Sequence, residues 1–169
     1  HSHSCAGNFD EAIEDFSTSI RLNAYPIPYC FRASSWAAKG DYGKAIDDYN
    51  AALSLDASMD LAHNELAWLL ATCPEGKYRD GAKALEHAEK ACQLRNWEDP
   101  LYFDALAAAY AETGDFEKAV HWQGRAMQGD GQPVAQEDEI RLNAAMEAYK
   151  AGRPFRYGAQ SSTSNNTQP

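Results

Sequence analysis

One eight-residue phrase recurs along this chain and restricts its fold more than any other feature. It reads AGNFDEAI at residues 6–13, KGDYGKAI at 39–46 and TGDFEKAV at 113–120. Each copy sets a Gly before an Asp or Asn and an aromatic, and ends in an Ala and a β-branched aliphatic. The glycines, Gly7, Gly40 and Gly114, lie 33 and 74 residues apart. A period of about 34 residues fits once in the first interval and twice, with a few residues to spare, in the second.

The second interval therefore holds a degenerate copy. LAWLLATC (66–73) reads as an apolar helix, and GAKALEHAEKACQL (81–94) carries Ala84, Leu85, Ala88, Ala91 and Cys92 at helical spacing. Between them PEGKYRD (74–80) replaces a short turn with a longer one.

Around each Gly the local chemistry is that of a helical hairpin. Gly40 and Gly114 follow a helical run and suit the left-handed conformation that closes it. Asp41, Asp115 and Asn8 are positioned to cap the next helix. Behind the cap run two parallel stripes: Tyr42, Ala45, Ile46, Tyr49, Ala52 and Leu53, then Phe116, Ala119, Val120, Gln123, Ala126 and Met127. Small Ala at fixed places lets paired helices approach closely, and the aromatics fill the space beside them.

These residues resemble the tetratricopeptide repeat, whose unit follows W-x2-L-G-x2-Y…A-x3-F…P. From Pro26 the chain offers Tyr29, Ala33, Trp36, Ala45 and Tyr49, with Ala57 where Pro is usual. From Pro100 it offers Leu106, Ala107, Tyr110 and Ala119, with Gln123 in place of the aromatic. The divergent unit from Asp60 offers Leu66, Ala67, Leu70, Ala84 and Ala88.

The resemblance implies an all-α, right-handed α-solenoid of helix-turn-helix hairpins with a C-terminal capping helix. Its expected parts are a partial first unit at 1–24 (mainly a second helix) and a unit at 26–59. A divergent unit with a longer inter-helix loop follows at 60–98, and a further unit at 100–130. QEDEIRLNAAMEAYKAG (136–152) supplies the cap: acidic first turn, Lys150 and Gly152 at the other end, and a buried stripe of Leu142, Ala145, Met146 and Tyr149. GDGQPVA (129–135) is a flexible join. GAQSSTSNNTQP (158–169) holds no charge and no large apolar group, which predicts a disordered tail.

HSHSC (1–5) reads as the end of a helix whose partner strip, Phe9, Ile13 and Phe16, needs more than five residues to cover it. The expectation is a piece of a longer protein. Residues 64–158 are also similar to a terminal repeat arrangement of bacterial multidomain proteins.

Charge narrows the function. The chain has 15 Lys+Arg against 25 Asp+Glu, a net charge of −10, with the basic residues scattered singly. That argues against nucleic acid and anionic membranes as partners. Nothing in the sequence approaches a membrane span. Cys5, Cys30, Cys73 and Cys92 lack any C-x-x-C pair and read as small buried hydrophobes of a reducing, cytoplasmic compartment. Phosphate-loop, nucleophile-elbow and H-E-x-x-H patterns are missing. Glu117 with His121, and Glu86, His87 and Glu89, read as solvated helix faces. The sequence thus predicts no catalytic residue, no metal and no cofactor.

What the resemblance implies instead is a protein-binding groove lined by the first helix of each unit, in a scaffold or adaptor role. Transferring the repeat's phase assigns it Phe31 and Ser34 from one unit and Asn64, Glu65 and Trp68 from the next. The following unit adds Leu101, Asp104, Ala108 and Glu112. The assigned positions include acids but no basic residue, so a protein or peptide segment with basic and apolar residues is the expected partner. Two alternatives stay open: a regulatory or targeting segment of a larger enzyme, and a structural unit that self-associates through the incomplete first repeat.

Overall fold

The computed structural model describes residues 3–129 and 136–158, with side chains from Asn8 onward. Two of its hairpins, in residues 26–55 and 103–128, are built at glycines. Gly40 and Gly114 both have φ +87°, and a Cβ added to either would meet nothing within 4 Å. Backbone conformation, not crowding, is what requires Gly there. Gly40 N–H donates to Ala37 O at 3.0 Å and Asp41 N–H to Trp36 O at 2.9 Å, the paired bonds that close a helix on a left-handed residue. Gly114 and Asp115 repeat them onto Ala111 and Tyr110, and Gly152 and Arg153 onto Tyr149 and Ala148.

The helices are α1 (His3–Leu22), α2 (Pro26–Ala38), α3 (Tyr42–Leu55), α4 (Asp60–Thr72), α5 (Gly81–Leu94), α6 (Phe103–Glu112), α7 (Phe116–Gln128) and α8 (Gln136–Lys150). Short 3-10 turns at Gly76–Tyr78 and Pro100–Tyr102 accompany them, and the described residues hold no strand. Each helix packs on its successor, which makes the chain an all-α helical-repeat solenoid. Pro at the start of α2 fits a position whose N–H has no intrahelical partner.

Close approach is bought by alanine. Ala33, Ala45, Ala52, Ala62, Ala67, Ala84, Ala88, Ala91 and Ala119 are fully buried, with Tyr49, Leu66, Phe103 and Leu106 filling the gaps beside them. Gln123, where the repeat usually places an aromatic, is also fully buried. Its amide donates to Leu142 O at 3.1 Å and so ties α7 to α8. Leu142, Ala145 and Tyr149 of α8 are buried and Met146 half-buried, the stripe the sequence predicts.

Two capping expectations fail. Asp115 does cap, accepting from Lys118 N–H at 3.1 Å, but the Asp41 carboxylate makes no such bond and pairs with the Lys44 ammonium at 3.2 Å. Asn8 caps nothing, because α1 runs unbroken from His3 through Gly7 and Asn8. The predicted join at 130–135 and tail at 159–169 lie outside the described residues.

Beyond Gly152 the chain turns back. Pro154 locks its own φ and favours an extended Arg153. Residues 153–156 then run without helix toward the end of α4, where Tyr157 N–H donates to Thr72 O at 2.8 Å.

Candidate functional site: a cleft shared by alternate helices

Alternate helices, α2, α4, α6 and α8, line two adjoining clefts. The first, of about 210 Å³, is walled by Asn64, Glu65 and Trp68 of α4, Asp104 and Ala105 of α6, Leu101 just before it, and Arg141 of α8. The second, of about 140 Å³, lies between Ser34 and Ala37 of α2, Tyr49, Thr72 and Tyr157. Glu65 and Trp68 border both. Neither reaches the roughly 300 Å³ of a small-molecule pocket, and each is the size of one or two side chains.

Trp68 is half-buried at the centre. The Arg141 guanidinium lies 4.9 Å from its ring centroid and the Phe155 ring 6.0 Å away. Glu65 is also half-buried. Burial pushes its carboxyl above the usual carboxylate range, with Asp104 adding to the rise and the Asn64 amide and Arg141 opposing it. Asn64 Oδ1 and Asp104 Oδ1 are buried acceptors without a hydrogen-bond partner among the described residues. Leu101 is 80% exposed at the rim.

The sequence-assigned residues divide accordingly. Asn64, Glu65, Trp68, Leu101 and Asp104 meet in the first cleft, and Ser34 joins Glu65 and Trp68 at the second. Phe31 lines neither. It stacks on Phe16 of α1 at 5.6 Å and stays 47% exposed. Ala108 is only 3% exposed and packs into the core, because α6 is buried on nearly all sides. Glu112 is held between two guanidiniums, Arg79 Nε at 3.1 Å and Arg156 Nη1 at 2.6 Å.

The expected bare acidic face is therefore largely neutralised. Arg141 pairs with Asp104, and Arg79 and Arg156 with Glu112. These cations come from the capping helix, the α4–α5 loop and the segment after α8, none of which belongs to the positions the repeat phase assigns. One signal was available. RPFRY (153–157) is itself basic and apolar, the composition expected of a groove partner.

Elsewhere the titratable side chains do structural work. Cys30 and Cys92 are buried free thiols pushed up to about 12, chiefly by desolvation, which keeps them protonated and unreactive. No three His, Cys, Asp or Glu side chains cluster at metal-binding distance among the described residues. Glu117 and His121 are exposed, as a solvated pair should be.

His87 is not solvated as the sequence suggests: it is half-buried, its Nδ1 2.8 Å from His63 Nδ1. His63 Nε2 lies 3.1 Å from Ala57 O, so its N–H belongs there, and His87 Nδ1–H donates to the bare Nδ1 of His63. Burial first, and then His63, hold the His87 pKa below its ordinary 6.5. Above that value both folded and unfolded chains carry it neutral. As pH falls through 6.5 the unfolded chain takes up a proton that the folded chain refuses until lower pH, so stability falls with it. Urea midpoints should drop from pH 7 to pH 5, and His87→Gln should flatten that slope; an unchanged slope would exclude the pair as its source.

A family model of the tetratricopeptide repeat matches residues 28–59. No curated protein sequence matches the chain.

Proposed function

We propose that this chain, an all-α repeat solenoid whose residues 28–59 match the tetratricopeptide-repeat model, binds other proteins, and that its cleft around Trp68 holds a protein or peptide segment bearing both N–H-rich cationic and apolar side chains. The observation that carries this reading is the pairing of an aromatic wall with unsatisfied acceptors. Trp68 offers a large ring, while Asn64 Oδ1 and Asp104 Oδ1 lie buried beside it without donors, next to the Glu65 carboxyl. A buried acceptor left without a donor costs about 1–3 kcal/mol, and an incoming Arg, Lys or backbone N–H recovers it. An apolar neighbour on the same segment would cover Trp68 and Leu101. The role is that of a scaffold or adaptor.

The test uses synthetic peptides that alternate Arg or Lys with Phe or Leu, against counterparts with Glu in place of the cations. The cationic peptides should bind, perturb Trp68 fluorescence (assigned with a Trp68→Phe control) and dissociate as salt rises. Trp68→Ala should weaken binding by about 2 kcal/mol, near thirtyfold, with helical circular dichroism unchanged. Glu65→Lys should act in the same direction. Equal affinity in wild type and both variants would place the activity elsewhere.

One observation supports the rival reading of self-association. Leu22, Tyr25, Ile27 and Phe31 are all exposed at the α1–α2 end, an apolar patch that a second copy could cover. Light scattering against concentration separates the two readings: growth of the scattering mass that Phe31→Ser abolishes would favour assembly.

A further inference from the structure

The segment after α8 is more than a chain end lying on the surface. Arg156 Nη1 donates to Glu112 Oε2 at 2.6 Å and to Ala71 O at 3.1 Å, and Tyr157 N–H donates to Thr72 O at 2.8 Å. Ala71 and Thr72 occupy the last turn of α4, where carbonyls have no intrahelical donor. Leu69 O and Leu70 O already receive Cys73 N–H and Asp80 N–H. The segment thus completes the far end of the cleft's central helix by backbone recognition, which any chain of the same register can imitate. Phe155 adds its ring against Trp68, and Tyr157 forms a wall of the second cleft.

Resting on the groove reading above, we propose that residues 153–157, Arg-Pro-Phe-Arg-Tyr, are an internal ligand of this cleft. A partner binds by displacing them with an extended segment that repeats an aromatic-Arg-aromatic pattern. Three features of the segment make it exchangeable. It carries no helix from 153 to 156, Arg153 is exposed, and Phe155 and Arg156 are only half-buried. Its hold rests on a few hydrogen bonds, the Arg156–Glu112 ion pair and the one ring of Phe155, packed on Trp68 and on the buried cluster that includes Ala145 and Tyr149, multiplied by the tether that keeps it near. A partner must outcompete that tether, so its apparent affinity is reduced by the fraction of chains in which the cleft is open.

The experiment uses the full chain, a double variant Phe155→Ser/Arg156→Ser, and an acetylated, amidated peptide of residues 151–158, AGRPFRYG, with a scrambled control. Calorimetric titration should show AGRPFRYG binding the double variant at least about tenfold more tightly than wild type, and the scrambled peptide binding neither. Equal binding to both chains, or to neither, overturns the proposal. Should the double variant lose helical content, wild type alone decides by amide exchange. Excess AGRPFRYG should deprotect the Tyr157 amide, and unchanged protection overturns the inference.

The cationic–apolar peptides used above separate this proposal from the groove reading. If their binding depends on Trp68 yet is equal in wild type and the double variant, the internal ligand falls and the groove stands. If AGRPFRYG behaves as expected while those peptides ignore Trp68, the internal ligand stands and the partner groove falls.

Discussion

Phe103→Ala should destabilise the folded chain by about 3–5 kcal/mol, the largest loss expected from any single truncation here. Phe103 is 1% exposed where α6 begins. Its ring centroid lies 5.0 Å from that of Trp122, and the Arg125 guanidinium 4.7 Å from it on another side. Trp122 in turn packs at a tilt on Trp97, with ring centroids 5.5 Å apart. Trp97 and Asn96 before it both adopt left-handed φ, 60° and 54°, which side chains other than Gly rarely tolerate. That turn persists because the rings and the Trp97 N–H bond to Cys92 O, at 2.8 Å, hold it. Removing Phe103 opens a cavity and loosens the same stack, so collapse of Trp122 into the gap would release the strained turn. Urea unfolding followed by circular dichroism measures the loss. A value under about 1 kcal/mol would mean that the rings repack freely.

Leu66→Ala should cost about 2–5 kcal/mol. Leu66 is 1% exposed on α4, a helix buried on most of its surface by Ala62, Ala67, Leu69, Leu70 and Ala71 as well. With so little exposed surface nearby, the site cannot close around the missing branch. Leu85 on α5 is half-buried and provides the internal comparison, since Leu85→Ala should cost distinctly less. A loss below about half a kcal/mol at Leu66, or a larger one at Leu85, would overturn the helical phase assigned to this divergent unit.

That phase could be read from the sequence because repeats write their geometry in pairs of residues. A Gly that must be left-handed, followed by Asp and an aromatic, is legible wherever it recurs, and Gly40 and Gly114 adopt the same φ. Gly7 belongs to the same phrase but sits inside α1, so the phrase alone does not force a turn. The cleft was legible where it is built by the repeat itself: Asn64, Glu65, Trp68 and Asp104 do converge. Ala108 was misplaced because a residue facing inward on an array can equally face the next helix. Arg141 and Arg156 escaped because periodicity is silent on segments that do not repeat. The His63–His87 contact escaped for another reason: it links two helices across a loop whose length sets their register, and no local pattern encodes that.

The return of the chain from α8 to α4 also has a consequence in time. Most contacts of a repeat array join neighbours, and among the described residues the side-chain hydrogen bonds that do not involve this return span 42 residues or fewer, the Tyr102 hydroxyl donating to Asp60 Oδ2 being the widest. The Arg156 bond to Ala71 O spans 85. Such a closure can form only after the intervening hairpins have docked, since until then its two ends wander independently. It belongs to the native side of the folding barrier. Weakening it at Phe155 or Arg156 should leave the refolding rate untouched and shorten the lifetime of the folded chain, so this short segment acts as the latch on unfolding rather than as part of the nucleus.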